Sequence, residues 1–185
     1  MNLLEFYKTW LERATALASG IAVPYSLFLE DYGLCSNAQV WGNCSDALYD
    51  DLAAHTKDPE YPFGETRYNY HHARRTQHLD CQRLTFVRKR ITELELLKFY
   101  EAWLADANSK NPSYAVRAAG LCINAEEMGC GATVLADIKY HFGDQIYPFG
   151  EVAYKYDWYY GTQNINPNRI DFVERRIKEL TDGPP

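Results

Sequence analysis

Long apolar runs, glycine-rich phosphate loops and paired cysteine motifs are all missing from this 185-residue chain. No stretch approaches the ~20 consecutive apolar residues that cross a bilayer. The opening Met1–Ala18 mixes Glu5, Lys8, Glu12 and Arg13 into its apolar residues, which is the pattern of an amphipathic helix and not of a secretory signal. The expectation is a soluble, cytoplasmic protein without membrane contact. Basic charge is also scarce: the net charge of −6 divides into −2 over residues 1–94 and −4 over residues 95–185, which argues against bulk attraction to nucleic acid or anionic lipid. Five cysteines, an odd number, in a chain large enough to hold itself together by packing do not make a secreted disulfide framework. With no nucleotide fingerprint, no cofactor is expected.

What the chain has in quantity is aromatic residues, 15 Tyr and 4 Trp among them, and an internal repeat. Leu4-Glu5-Phe6-Tyr7-Lys8-Thr9-Trp10-Leu11 returns as Leu97-Lys98-Phe99-Tyr100-Glu101-Ala102-Trp103-Leu104, an offset of 93. Gly33-Leu34-Cys35 and Asn37-Ala38 return as Gly120-Leu121-Cys122 and Asn124-Ala125, an offset of 87. From Cys44 and Cys130 onward the offset is 86, carrying His55 onto His141, Tyr61-Pro62-Phe63-Gly64-Glu65 onto Tyr147-Pro148-Phe149-Gly150-Glu151, and Arg83 onto Arg169. Ordered self-similarity of this kind outranks other sequence signals. It implies two modules, residues 1–94 and 95–185, each of roughly 90 residues, with short deletions in the loops of the second.

Within a module the apolar spacing predicts helices. Leu3, Phe6, Tyr7, Trp10, Leu11 and Ala14 recur every three or four residues. A second helix is predicted from near Pro24 or Pro112 through the Gly-Leu-Cys segment, and a third over Ser45–His55 and Ala132–Phe142, with Ser45 as N-cap. Tyr-Pro-Phe-Gly breaks the pattern, its proline disfavouring helix before it and its glycine permitting positive φ. A closing helix follows over residues 80–94 and 166–180, with Leu84, Val87, Ile91 and Leu94 as its buried stripe. No glycine- or serine-rich spacer separates Leu94 from Glu95, so this helix is expected to run on into the second module. The fold class is all-α or α-dominated, a tandem duplication with pseudo-twofold packing.

The Leu-x-Phe-Tyr-x-x-Trp-Leu opening, the central Gly-Leu-Cys-x-Asn, the Tyr-Pro-Phe-Gly-Glu turn and the closing Asn/Asp-x-x-Arg-Leu/Ile-x-Phe-Val resemble a group of small accessory proteins of tailed bacteriophages. The likeness covers nearly the whole chain, twice over. It implies no catalytic residues. It implies a protein made in a bacterial cytoplasm that binds and inhibits a host protein, such as an antiviral defence component.

Three constellations bear chemistry. Cys35, Cys44 and His55, echoed by Cys122, Cys130 and His141, are zinc-ligand types, but their spacing fits no zinc module and no fourth ligand recurs, leaving buried free thiols as the competing reading. A Cys–His nucleophile has no orienting third residue or oxyanion hole beside it in the sequence, and carboxylates such as Asp50 and Asp51 are generic. The expectation is therefore a non-enzymatic protein. The second constellation is basic: Arg67, His71, His72, Arg74, Arg75, His78 and Arg83 belong to a stretch, residues 67–90, in which seven Arg or Lys face only Asp80. It reads either as a phosphate or nucleotide site or as a solvated face paired with acidic neighbours. The second module keeps Tyr68 and Tyr70 as Tyr154 and Tyr156, and the stretch that follows diverges to Asp157, Trp158, Tyr159 and Tyr160, which makes it a set of aromatic anchors for a protein partner or packing between the modules. The partner expected is a host bacterial protein, with a small-ligand or nucleotide-binding role as the alternative.

Overall fold

The computed structural model describes residues 1–18, 34–42, 44–58, 62–64, 81–113, 121–142, 151–152, 155–156 and 167–183. Helices dominate these residues: α1 (Leu3–Ala18), α2 (Leu34–Gly42), α3 (Ser45–His55), α4 (Cys81–Ala107), α5 (Leu121–Glu127), α6 (Gly131–Phe142) and α7 (Pro167–Asp182). One antiparallel ribbon is present, β1 (Glu151–Val152) against β2 (Lys155–Tyr156), with Glu151 opposite Tyr156. No helix among the described residues is long and apolar enough to cross a membrane. The chain divides into two compact units, Met1–Ile91 with Asp182–Pro185, and Thr92–Thr181. The first boundary falls three residues before the predicted one.

Local chemistry sets the helix ends. At the start of α1 the Asn2 side chain accepts from the Glu5 N–H while the Glu5 carboxylate accepts from the Asn2 N–H, a reciprocal capping box. α4 runs for 27 residues without a glycine or proline, so nothing interrupts it where the two repeats meet. α7 opens on Pro167, whose missing N–H costs nothing in a first turn, and is followed by Gly183 at φ +80°. Of the second helix predicted for the second copy, residues 111–113 are not helical, Leu121–Glu127 are helical as α5, and the stretch between lies outside the described residues.

The cap predicted at Ser45 sits one residue earlier. Cys44 is the N-cap of α3, and Ser45 is a buried first helical residue. The Cys44 N–H bonds the Ala38 carbonyl at 3.3 Å, and its thiol faces the same carbonyl at 3.9 Å. In the second unit the Cys130 N–H and thiol bond the Ala125 carbonyl at 2.9 and 3.4 Å. These cysteines thus terminate one helix and open the next. The one-residue shortening of the repeat offset falls inside this turn, where Gly129 takes φ +75°.

In the first unit Phe6, Tyr7 and Trp10 of α1, Leu34 and Cys35 of α2, Leu48 and Leu52 of α3, and Val87 of α4 are fully or almost fully buried. In the second, Phe99, Tyr100 and Trp103 of α4 pack with Leu121 and Cys122 of α5, Val134 and Ile138 of α6, and Phe172 and Val173 of α7. Each such side chain contributes about 1.5–3 kcal/mol by leaving water. The buried stripe of the closing helix differs from the predicted one. Arg83, Val87 and Arg90 point inward, while Leu84, Ile91 and Leu94 are only partly covered.

Because an L-residue at Gly129 meets no steric neighbour but must hold a left-handed backbone, Gly129→Ala is expected to cost about 1–2 kcal/mol. Asn tolerates that conformation, and the residue aligned with it is Asn43, so Gly129→Asn is expected to cost less. Urea unfolding midpoints of the two variants check the order.

Candidate functional site

Charges inside a helical unit need partners, and the described residues show how each unit supplies them. Asp51 lies on the flank of the α3 face that buries Leu48 and Leu52. Its carboxylate accepts from the Tyr7 hydroxyl of α1 at 2.8 Å and from Nε and Nη2 of Arg90 on α4 at 3.2 and 2.7 Å. The arginine is 2% exposed, so this is an interior ion pair and not a surface one. Its side-on fork fills both carboxylate oxygens, and the phenol takes a further lone pair. One carboxylate therefore ties three helices together.

The second unit repeats this geometry at aligned positions. Asp137 of α6 accepts from the Tyr100 hydroxyl of α4 at 2.9 Å and from Nε and Nη2 of Arg176 on α7 at 3.0 and 2.8 Å. Arg176 also bonds Glu179 through Nη1. Burial, and next the negative charge of Asp51 or Asp137, push the Tyr7 and Tyr100 hydroxyls well above the usual phenol range. Both tyrosines are thereby held as proton donors. The edge of the Phe86 ring backs Tyr7 at 6.3 Å, and that of Phe172 backs Tyr100 at 5.9 Å.

A histidine follows each aspartate one turn later. His55 Nδ1 lies 2.9 Å from the Asp51 carbonyl and 3.7 Å from its carboxylate. His141 Nε2 lies 3.9 Å from the Asp137 carboxylate, with Phe172 at 6.0 Å and Tyr140 at 5.2 Å. Burial, and then the nearby Arg176 charge, lower the His141 pKa below its ordinary 6.5, more than Asp137 raises it. In both constellations the phenol, carboxylate and guanidinium satisfy one another.

Arg83 belongs to the same interior economy. It is fully buried and donates from Nη2 to the Phe63 carbonyl at 3.0 Å, with its guanidinium 5.2 Å from the Phe63 ring. Phe63 also meets Phe86 edge-on at 5.3 Å. The Pro62–Gly64 turn is a single turn of 3-10 helix in which Phe63 itself takes φ +55°, a left-handed conformation that costs a bulky residue about 1–2 kcal/mol. Arg83 and Phe86 hold that strained residue in place. Arg169, aligned with Arg83, is equally buried.

The remaining sequence candidates divide plainly. Arg67, His71, His72, Arg74, Arg75, His78, Tyr154, Trp158, Tyr159 and Tyr160 lie outside the described residues. Tyr156 sits in β2, in a ribbon that packs against α5. Arg83 is an interior residue and not a surface contact. Arg90, counted in the basic stretch as part of a solvated face, is buried against Asp51. Of that stretch, Arg88 and Lys89 are exposed.

The proposed metal ligands are not brought together: among the described residues no three His, Cys, Asp or Glu converge to hold a metal ion. Cys35 and Cys122 are buried thiols, and Cys44 and Cys130 are half-buried thiols at helix starts. Burial raises the last two above the ordinary thiol value, keeping them protonated and poor as ligands or nucleophiles. Asp50 is exposed. Set against protein-family models, curated proteins and solved structures, the chain matches none.

Removing the central carboxylate strands a buried guanidinium and a buried phenol. Asp51→Asn is expected to cost about 3–5 kcal/mol, and Tyr7→Phe, which deletes one bond to a charged acceptor, about 1.5–3 kcal/mol. Denaturant unfolding checks both; neutral effects would show that the triad does not hold the unit together.

His141 gives a pH dependence. Its pKa is lower folded than unfolded, so the unfolded chain binds the extra proton first, and the stabilisation present above pH 6.5 is lost as pH falls through the folded value. Between about pH 7.5 and about pH 5 the wild-type melting temperature is expected to drop further than that of His141→Gln, measured by circular dichroism.

Proposed function

We propose that this chain is a tandem duplication serving as a non-enzymatic accessory protein of a bacteriophage, which binds and inhibits a host protein such as a component of antiviral defence. The observation that carries the reading is a contrast within the duplication. The Tyr-Pro-Phe-Gly-Glu turn, Tyr70 (as Tyr156) and the closing helix repeat at constant offset, whereas between them His71-His72-Ala73-Arg74-Arg75 becomes Asp157-Trp158-Tyr159-Tyr160-Gly161. Where a frame is kept and one connection alone changes its chemistry, that connection is where recognition is placed.

Three further observations support it. The triads Tyr7–Asp51–Arg90 and Tyr100–Asp137–Arg176 occupy aligned positions and use their polar groups internally. The exposed surface of the second unit gains aromatics elsewhere: Tyr140 is 83% exposed where the aligned residue of the first is Ala54. The motifs resemble those of tailed-phage accessory proteins. In this reading Tyr154–Tyr160 supplies the aromatic anchors, and the basic segment 67–78, without Arg83, forms a second contact region. The protein acts in the host cytoplasm.

A small-ligand or nucleotide-binding role rests on the basic segment alone. With Arg83 and Arg90 committed to the interior, fewer cations remain to hold a phosphate than the sequence count suggests. The two roles separate experimentally, because a nucleotide binder shifts its melting temperature with ligand alone, whereas an inhibitor requires its macromolecular target.

The inhibitor role is tested by expressing the chain in bacteria that carry defined defence systems and scoring phage plating. Wild type is expected to restore plating against one system and to co-purify with a component of it. Trp158→Ala with Tyr160→Ala is expected to lose both while melting like wild type. Failure of the wild type across the panel, or full activity of the double variant, would contradict the reading.

A further inference from the structure

Arg13 is treated differently from the arginines of the triads. It lies on α1 with its guanidinium carbon 4.1 Å from the centroid of the Trp41 ring on α2. Trp41 in turn leans on Phe6, with ring centroids 5.8 Å apart. The contact uses the face of the indole and leaves the N–H edges of both groups in need of acceptors. Arg13 Nη1 and Trp41 Nε1 are both closed to solvent, and neither has a hydrogen-bond partner among the described residues. The ion pairs found there do not include Arg13.

Two neighbouring buried donors without an acceptor, one of them charged, are a desolvation cost that folded chains seldom leave uncompensated. The repeated frame does not demand the pair. Arg13 aligns with Asp106, and Trp41 with Glu127 or Met128. In the second unit Asp106 accepts from the Ser113 N–H at 3.0 Å, a carboxylate serving a local turn where the first unit has a cation on an indole. The donors thus belong to the first unit alone.

We propose that Arg13 and Trp41 form a binding site for an oxyanion, a carboxylate or phosphate group, which takes a charge-assisted bond from Arg13 Nη1 and a neutral bond from Trp41 Nε1. The site uses none of the residues of the aromatic segment proposed to contact a protein partner. A guanidinium and an indole N–H offer no acceptor of their own, so an anion is the group that both donors lack.

The test is an NMR titration of the intact 15N-labelled chain, following the indole N–H resonances. That of Trp41 is assigned by its absence in Trp41→Phe. Inorganic phosphate is added in one arm and acetate in the other. The Trp41 signal is expected to move saturably, with a Kd of ~1 mM or tighter in at least one arm. Arg13→Gln is expected to flatten that response at an unchanged melting temperature. A response to phosphate alone assigns a phosphate ligand, and an equal response to acetate assigns a carboxylate. The proposal is overturned by a Trp41 signal that neither anion moves saturably, and equally by an undiminished response in folded Arg13→Gln. If Arg13→Gln does not fold, the wild-type titration alone decides between these outcomes.

Discussion

A carboxylate carried into a helical interior must be surrounded by donors or lose its charge, and everything described in each unit is arranged around that demand. Asp51 and Asp137 each draw a phenol from the opening helix and a guanidinium from the closing helix. The pair does not add much to stability compared with a well-packed apolar core, because desolvating two ions offsets most of their attraction. Its contribution is specificity of arrangement. A side-on arginine and a tyrosine hydroxyl from two other helices reach the same carboxylate, which ties the register of three helices to one residue. α4 carries both Arg90 and Tyr100, so one uninterrupted helix contributes to both triads.

That constraint explains how polar groups are shared out. The interior uses Arg83, Arg90, Arg169 and Arg176, and with them the strained Phe63 turn is bonded to the closing helix. Cys44 and Cys130, which invite a metal or nucleophile reading in the sequence, spend their backbone and thiol groups on an Ala carbonyl at a helix junction. In the proposed function, recognition falls to what differs between the repeats. Between the repeats His71-His72-Ala73-Arg74-Arg75 gives way to Asp157-Trp158-Tyr159-Tyr160-Gly161, while the residues of the triads are kept.

Much of the fold was legible. Apolar spacing located α1, α3 and the closing helices, and the absence of glycine or proline between Leu94 and Leu97 foretold the continuity of α4. The buried arginines were not, because periodicity arguments assign charged residues to the solvent face, and Leu84, Ile91 and Leu94 offered an apolar stripe one step round the helix. The signal was present in the repeat: Tyr7, Asp51 and Arg90 recur as Tyr100, Asp137 and Arg176, and a charged residue kept at constant offset amid altered neighbours marks a polar partnership. The cap at Cys44 was missed for another reason. Ser45 is the better capping side chain, but the turn is closed by the Cys44 backbone and not by a side-chain oxygen.

The first unit is organised around the interdependence of Asp51 and Arg90, and a double-mutant cycle measures it most directly. Unfolding free energies are determined for wild type, Asp51→Leu, Arg90→Met and the pair combined. Each single variant leaves an uncompensated buried charge, so the combined variant is expected to lose less than the sum of the singles by at least ~2 kcal/mol. Losses that simply add, within ~0.5 kcal/mol, would show that the two charges are not coupled and that the unit is not organised around them.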